Sequence, residues 1–132
     1  MEKRILIVDD NARIAGMVRL LLRRAGFQSD TAGTAREALG KLAAAPPDLV
    51  LLDLSLPDLS GSDLLAEVRK TWDGPVIVVS ASIDTLPVFR TMGAADTIGK
   101  PFDPAELVKK VAKVLAGGEV PPGDPQVRPP AA

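Results

Sequence analysis

Short runs of apolar residues alternate along the chain with segments in which apolar residues recur every three or four positions. Most of the runs contain β-branched residues in unbroken sequence, which is typical of strands buried on both faces of a parallel sheet. The segments between them have the period of amphipathic helices. Five strands are predicted, of which the second is short and the fifth is weak: Arg4 to Val8, Phe27 to Thr31, Asp48 to Asp53, Val76 to Val79 and Ala95 to Ile98.

The helical segments carry their own start and stop signals. Thr34 and Glu37 form a capping box, and Asp103 is an N-cap with a proline at the next position. Gly26 is expected to end the first helix. The fourth helix is the poorest, because Pro87 is tolerated only in a first turn, and this helix therefore starts late or is distorted. The five helices are predicted to begin at about Asn11, Thr34, Ser62, Asp84 and Asp103.

A single domain, residues 1–116, is expected to hold all five strand–helix units. Its last helix turns an apolar face toward the core, and three lysines of that helix are expected to face water: Lys109, Lys110 and Lys113. Residues 117–132 contain five of the twelve prolines and show no periodicity. They are predicted to form a disordered or extended tail or a linker.

The composition restricts the chemistry that this domain can perform. A formal net charge of −1 gives no general attraction to nucleic acid or to an anionic membrane. The chain has neither cysteine nor histidine, which excludes disulfides, thiolate metal sites and a Ser-His-Asp triad. No apolar run approaches the roughly 20 residues that span a bilayer, and Asp9 and Asp10 interrupt the apolar stretch near the N-terminus. A cytoplasmic protein is predicted.

Polar residues that invite chemistry lie at the carboxyl ends of the predicted strands. Five strands, each followed by a helix, imply a parallel sheet with right-handed crossovers and helices on both faces. All the strands then point the same way, and these ends share one edge of the sheet. Ligands bind at that edge, at the switch point between the first and third strands. Three acids, a hydroxyl and an amine are therefore expected to meet in one crevice: Asp9, Asp10, Asp53, Ser80 and Lys100.

Three neighbouring carboxylates repel one another and need a cation. A ligand set made of oxygen alone suits Mg²⁺ (or Mn²⁺), which completes its shell with water and with phosphate oxygens of a substrate. The metal and Lys100 together would bind an oxyanion, Ser80 would donate a hydrogen bond to it, and the small Ala81 leaves room beside it. Asp53, on the central strand, is predicted to be the nucleophile of an in-line attack on phosphorus.

These residues also form a pattern that resembles a known family. The pattern consists of an acidic pair after the first strand, Asp53 followed by Pro57 and Gly61, then Ser80-Ala81, and finally Lys100-Pro101-Phe102. It resembles the receiver domain of two-component response regulators over residues 4 to 116. We therefore predict an α/β fold: a doubly wound, (βα)5, flavodoxin-like sheet of five parallel strands in the order 2-1-3-4-5.

The resemblance implies a phosphoacceptor switch. Asp53 would take a phosphoryl group from a sensor histidine kinase or a phosphotransfer protein. Asp10, Asp53 and the backbone carbonyl of Ser55 would ligate Mg²⁺, with Asp9 contributing through water. Lys100 would contact the phosphoryl group, next to a Lys100–Pro101 bond that is commonly cis in the family.

The sequence departs from the family's pattern in two respects. The family's switch aromatic lies three residues before the lysine, and Thr97 occupies that position here. The interval from Ser80 to Lys100 is two residues shorter than is usual, within the helix that carries Pro87. We therefore expect this chain not to form the dimer of DNA-binding regulators through its fourth helix and fifth strand, and to be a monomer or a weak dimer. We expect no direct binding of nucleic acid or membrane, and the output partner stays unknown.

Two other functions remain open at this point. A docking module that binds partners without being phosphorylated is compatible with Thr97 in place of the aromatic. A hydrolase of the haloacid-dehalogenase type would use an aspartyl nucleophile but would place a second Asp two residues later, where this chain has Ser55. We predict a switch without a turnover substrate.

Single residues of the pattern also have simpler explanations: taken singly, Asp10 could cap a helix and Ser80 could bond only to backbone.

Overall fold

Five strands alternate with five helices in the computed structural model, which describes residues 3–81 and 86–116. The strands are β1 (Arg4–Val8), β2 (Gln28–Ala32), β3 (Leu49–Asp53), β4 (Val76–Ser80) and β5 (Asp96–Gly99). The helices are α1 (Ala12–Arg24), α2 (Ala35–Ala44), α3 (Gly61–Thr71), α4 (Leu86–Thr91) and α5 (Pro104–Leu115). The predicted alternation is confirmed.

The strands form one parallel sheet in the order β2-β1-β3-β4-β5. Val8 pairs with Leu52 across β1 and β3, and Ser80 pairs with Gly99 across β4 and β5. β2 is added on one side of β1, whereas β3, β4 and β5 are added on the other side. The gap between β1 and β3 is therefore the switch point of the sheet. The predicted fold class and strand order are confirmed.

Alternate residues of each strand face opposite sides of the sheet and build two separate cores. On one side, Leu6, Val50 and Val78 pack with buried residues of α2, α3 and α4. On the other side, Ile7 and Leu51 belong to a cluster completed by α1 and α5. The three central strands are buried on both faces, which explains their unbroken apolar runs.

The helix ends follow the signals in the sequence. Side chains of the residues preceding four of the helices accept hydrogen bonds from first-turn amides: Asn11, Thr34, Ser60 and Asp103. Gly26 follows α1 with a φ of +96°, a left-handed conformation that glycine adopts without strain. Pro87 is the second residue of α4, where its missing N–H has no helical partner to lose. The predicted start of this helix at Asp84 lies outside the described residues.

Several element boundaries differ by one residue from those predicted. β2 begins at Gln28, because the amide of Phe27 donates to Leu22 O at the end of α1. β3 begins at Leu49, and the preceding Asp48 is bonded to Arg4 both by its own amide, which donates to Arg4 O, and by its carboxylate, which accepts from the Arg4 amide. α3 begins at Gly61, and β5 covers Asp96–Gly99. These shifts leave every strand end at the predicted edge of the sheet.

No helix within residues 3–81 and 86–116 is long and apolar enough to cross a membrane. The predicted tail, residues 117–132, lies outside the described residues.

Candidate functional site

Backbone hydrogen bonds at the carboxyl edge of the sheet join β1 to β2, β3 to β4 and β4 to β5. The amide of Asp9 donates to Ala32 O over 2.9 Å, and that of Leu54 donates to Val79 O over 3.2 Å. The amide of Lys100 donates to Ser80 O over 2.8 Å. The sheet thus extends its ladder to the residues that were predicted to carry the chemistry, and their backbone positions are defined by their neighbours.

Asp9, Asp10 and Asp53 form one acidic cluster between β1 and β3. Each offers a carboxylate oxygen, and these oxygens all lie within 4.8 Å of one another. Asp9 and Asp53 are buried, with relative exposures of 7% and 3%, while Asp10 is exposed at the mouth. The parallel sheet brings the three acids together as predicted.

Lys100 reaches into this cluster from the end of β5. Its Nζ lies 3.1 Å from Oδ2 of Asp53 and 3.9 Å from Oδ2 of Asp9. We call Asp9, Asp10, Asp53 and Lys100 the acidic crevice. It holds three carboxylates and one ammonium group, so it retains an excess of negative charge.

The pKa of Asp9 reflects this excess of negative charge. Burial raises the pKa of Asp9 above its ordinary value, and the charge of Asp53 acts in the same direction. The amide of Asn11, which donates to Asp9 Oδ1 over 2.9 Å, and the Lys100 ammonium oppose the rise. A bound cation would relieve the remaining cost of keeping Asp9 ionised.

The acidic crevice fits a hard divalent cation. All its candidate ligands are oxygens, which suit Mg²⁺ or Mn²⁺ and not a soft metal. Ser55, two residues beyond Asp53, is exposed at the start of the loop, and its amide makes a long hydrogen bond of 3.4 Å to Asp53 Oδ1. This contact places the Ser55 backbone beside the cluster, and its carbonyl as a metal ligand stays a prediction.

The other predicted site residues occupy three different places. Ser80 is buried at the end of β4, with a relative exposure of 6%, and the neighbouring Ala81 is exposed. Pro101 follows Lys100 through a cis peptide bond, as the resemblance implies. Thr97 lies inside β5, paired with Val78, three residues before the crevice.

Gly61 shows why the loop after Asp53 needs the observed spacing. It is the buried first residue of α3, and a Cβ atom there would lie 3.1 Å from the Cα of Leu54. The chain therefore folds back against the residue that follows Asp53, and a larger residue in place of Gly61 would force Leu54 to shift. Pro57 is exposed within the same loop.

Two sets of polar contacts were not predicted from the sequence. Lys110 was expected to face water, which is wrong: its Nζ donates to Thr97 O over 2.6 Å and lies 3.6 Å from Asp96 Oδ1. Asp96 also pairs with Arg90, and Lys110 also pairs with Glu106. We call Arg90, Asp96, Glu106 and Lys110 the β5 ion-pair cluster. Amphipathic periodicity gave no signal for it, because a lysine stem at the edge of an apolar face looks the same whether or not its end group is paired.

The second unpredicted contact involves Asp58, in the loop after β3. Its carboxylate accepts hydrogen bonds from the amides of Ala35 and Arg36, across the gap between two elements. The only sequence signal was an acid beside Pro57 in a turn, which more commonly bonds to its own backbone.

Comparison with known families gives a match over most of the described chain. A family model described as "Response regulator receiver domain" matches residues 5–112. The DNA-binding response regulator MtrA of Mycobacterium tuberculosis is 39% identical over 126 residues, covering 94% of this chain and 55% of that protein. The transcriptional regulatory protein KdpE of the same species is 39% identical over 109 residues, covering 81% of this chain and 48% of that protein. The chain thus spans about half the length of these curated relatives.

Solved structures show the same architecture. A CheY-like receiver domain protein from Methanospirillum hungatei superposes with a TM-score of 0.82 at 32% identity, covering 90% of this chain and 98% of that one. The response regulator protein TrrA from Thermotoga maritima, in complex with Mg²⁺-BeF, gives a TM-score of 0.78 at 34% identity, covering 85% of this chain and 98% of that one.

Proposed function

This chain belongs to the response regulator receiver domain family, and we propose that within it Asp53 is the phosphoacceptor of a two-component phosphorelay. The proposal rests on the local environment of the Asp53 carboxylate. It is buried at the end of the central strand, shares a cluster with two further carboxylates, and lies 3.1 Å from the Lys100 ammonium. Members of this family are signalling modules without a turnover substrate.

The chemistry is an in-line phosphoryl transfer from a phosphohistidine of a sensor histidine kinase or a phosphotransfer protein. A carboxylate oxygen of Asp53 forms the new O–P bond as the N–P bond breaks, and the electron pair of that bond stays on the imidazole nitrogen. Lys100 exchanges its contact with Asp53 for one with the phosphoryl oxygens. Ser80 donates its hydroxyl hydrogen to the same group, and Ala81 leaves space for it.

A divalent cation supplies neutralisation of the equatorial phosphoryl oxygens when it is bound. Asp9, Asp10, Asp53 and the backbone carbonyl of Ser55 would hold it, with Asp9 acting through water. The acidic crevice supports this assignment, because three carboxylates with one ammonium leave an excess of negative charge. TrrA, in complex with Mg²⁺-BeF, is a relative of the same fold.

The acyl phosphate adds charge to the crevice and shifts a two-state equilibrium that a partner reads. Thr97 has no ring to move, so β5 would report the change by a route other than the family's aromatic. We propose a cytoplasmic module comprising residues 1–116, with residues 117–132 as tail or linker. It would be a monomer or a weak dimer that acts through an output partner, without binding nucleic acid or membrane itself.

The test is a phosphorylation assay with acetyl phosphate and Mg²⁺, followed by intact-protein mass spectrometry. We expect the mass of one phosphoryl group on the wild type and none on Asp53→Asn. Asp63→Asn is a matched control, because Asp63 is an exposed acid in the first turn of α3, and it should be modified like the wild type. Absence of an adduct on the wild type, or an adduct that survives Asp53→Asn, would refute the proposal.

A second function, docking without phosphorylation, is favoured by one observation, the threonine at position 97. It is separated from the first by measuring partner affinity with and without the phosphoryl mimic beryllofluoride. Equal affinities would support the docking function, whereas a switch requires a difference between the two states.

A further inference from the structure

The β3–α3 loop, residues 54–60, makes a contact that the proposed chemistry does not use. Oδ1 of Asp58 accepts a hydrogen bond from the amide of Ala35 over 2.8 Å, and Oδ2 accepts one from the amide of Arg36 over 3.1 Å. Ala35 and Arg36 are the first two residues of α2. One carboxylate thus joins the loop to a helix that precedes it by more than 20 residues.

This contact completes the N-terminus of α2. The first amides of a helix have no partner within the helix. The amide of Glu37 donates to the Thr34 hydroxyl and that of Ala38 to the Thr34 carbonyl, so Asp58 takes the two amides that remain. The helix dipole favours a negative charge at this end, and the two hydrogen bonds lower the pKa of Asp58. The carboxylate is therefore ionised at neutral pH, and its hydrogen bonds are charge-assisted.

Asp58 also determines how the loop is anchored. Leu54 donates its amide to Val79 O, and three leucines of the loop pack against the core: Leu54, Leu56 and Leu59. Besides its contacts with the adjoining β3 and α3, the loop is tied to a further element, α2, by the two hydrogen bonds of Asp58. Ser55 therefore lies between a backbone anchor on one side and the Asp58 carboxylate on the other.

We propose that Asp58 is a positioning residue for the metal site, because its cap on α2 holds the β3–α3 loop in the path that presents the Ser55 carbonyl to the acidic crevice. The inference rests on the proposed function, which assigns that carbonyl as a ligand. Asp58 touches neither metal nor phosphoryl group. A loop released from α2 would have to be ordered when the cation binds, and that cost in conformational entropy would weaken binding.

The test compares two variants that damage the same end of the same helix. Asp58→Ala removes the cap that comes from the loop, and Thr34→Ala removes the cap that belongs to the helix itself. We expect both to lower the midpoint of thermal unfolding to a similar extent. Only Asp58→Ala should weaken Mn²⁺ binding, by about 10-fold, the lower end of the effect of residues that support metal ligands. The affinity is measured from the EPR signal of free Mn²⁺.

A second measurement needs no metal. Amide hydrogen exchange in the metal-free protein should accelerate at residues 54–60 in Asp58→Ala, and stay near the wild-type rate there in Thr34→Ala. Asp63→Asn, which removes an equal charge from the next helix, should leave both the exchange and the Mn²⁺ affinity unchanged. Asp58→Asn keeps one acceptor oxygen and should lie between wild type and Asp58→Ala; it carries the test if the alanine variant does not fold.

Two results would overturn the inference. One is wild-type Mn²⁺ affinity in an Asp58 variant whose Ala35 and Arg36 amides exchange faster. The other is an equal loss of affinity in Thr34→Ala, which would mean that α2, and not the loop, controls the site. Neither result touches the proposed function, which fails separately if the wild-type protein takes no phosphoryl group.

Discussion

The two ends of β5 carry opposite kinds of charge arrangement. At its carboxyl end, the acidic crevice sets the Lys100 ammonium against three carboxylates. At its amino end, the β5 ion-pair cluster balances Asp96 and Glu106 against Arg90 and Lys110. The balanced cluster joins α4, β5 and α5 and leaves no charge for a ligand to satisfy. The unbalanced crevice retains charge that folding alone does not compensate, which is typical of a functional site.

The largest expected effect separates the two lysines. Lys100→Met should slow adduct formation with acetyl phosphate by about 100-fold, because the transferring phosphoryl group loses a preorganised positive charge. Lys110→Met, the same substitution at the other end of β5, should change the rate by less than about 3-fold, since distant sites act independently. The measurement is the adduct fraction against time by mass spectrometry. Equal slowing in both variants would remove the distinction between the two regions.

The second effect is a gain in the free energy of unfolding when the charge of Asp9 is removed from the acidic crevice. The raised pKa of Asp9 means that the folded protein binds this proton more tightly than the unfolded chain does. Ionised Asp9 therefore lowers stability at neutral pH, and stability is recovered as the pH falls through the raised pKa toward the ordinary value. Asp9→Asn keeps an oxygen to accept from Asn11 and should be more stable than the wild type by about 1 kcal/mol at pH 7 without divalent metal.

Urea unfolding at two pH values checks this prediction. The advantage of Asp9→Asn should shrink on acidification, as wild-type Asp9 becomes protonated. Mg²⁺ at 100 times its dissociation constant should stabilise the wild type by about 2.7 kcal/mol and reverse the order of the two proteins. If Asp9→Asn is less stable than the metal-free wild type at pH 7, the negative charge of Asp9 is already compensated by its neighbours and the prediction fails.

A loss of similar or smaller size is expected from the β5 ion-pair cluster. Lys110→Met removes the donor to Thr97 O and one partner of Asp96, and should lower the free energy of unfolding by about 1 kcal/mol. The control is Lys109→Met, since Lys109 is an exposed neighbour on the same helix. Urea unfolding of both variants gives the comparison. If both variants lose the same free energy of unfolding, the contacts of Lys110 do not stabilise the fold and the prediction is wrong.

Salt should give the smallest effect and the finest distinction. Raising ionic strength from about 10 mM to about 1 M shortens the Debye length from about 30 Å to about 3 Å. The loss caused by Lys110→Met should then shrink by a few tenths of a kcal/mol, because its partners are partly exposed. The gain from Asp9→Asn should change less, since Asp9 is buried and poorly screened. Repeating the unfolding experiments at both salt concentrations shows whether the effect of Lys110→Met depends on salt more than that of Asp9→Asn.

The crevice was predictable because its residues are placed by elements and not by individual contacts. Asp9, Asp53 and Lys100 each lie directly at or after a strand end, and parallel strands bring such ends to one edge whatever the helices contribute. Boundaries that differ by one residue, as at Gln28 or Leu49, do not move these ends. The site therefore follows from the alternation of apolar runs and helical segments together with the positions of three acids and a lysine.

The sequence by itself determined the strand–helix alternation, the parallel sheet and the convergence of acids at its edge. The hydrophobic period is a local property that identifies each strand and helix, and their strict alternation makes the strands parallel. Only the tertiary structure decided the partners of Lys110 and Asp58. Lys110 meets Thr97 thirteen residues back, and Asp58 meets Ala35 twenty-three residues back. Such pairings depend on distances of a few ångströms between packed elements, and a lysine or an aspartate exposed to water has the same pattern in the sequence as one that joins two elements.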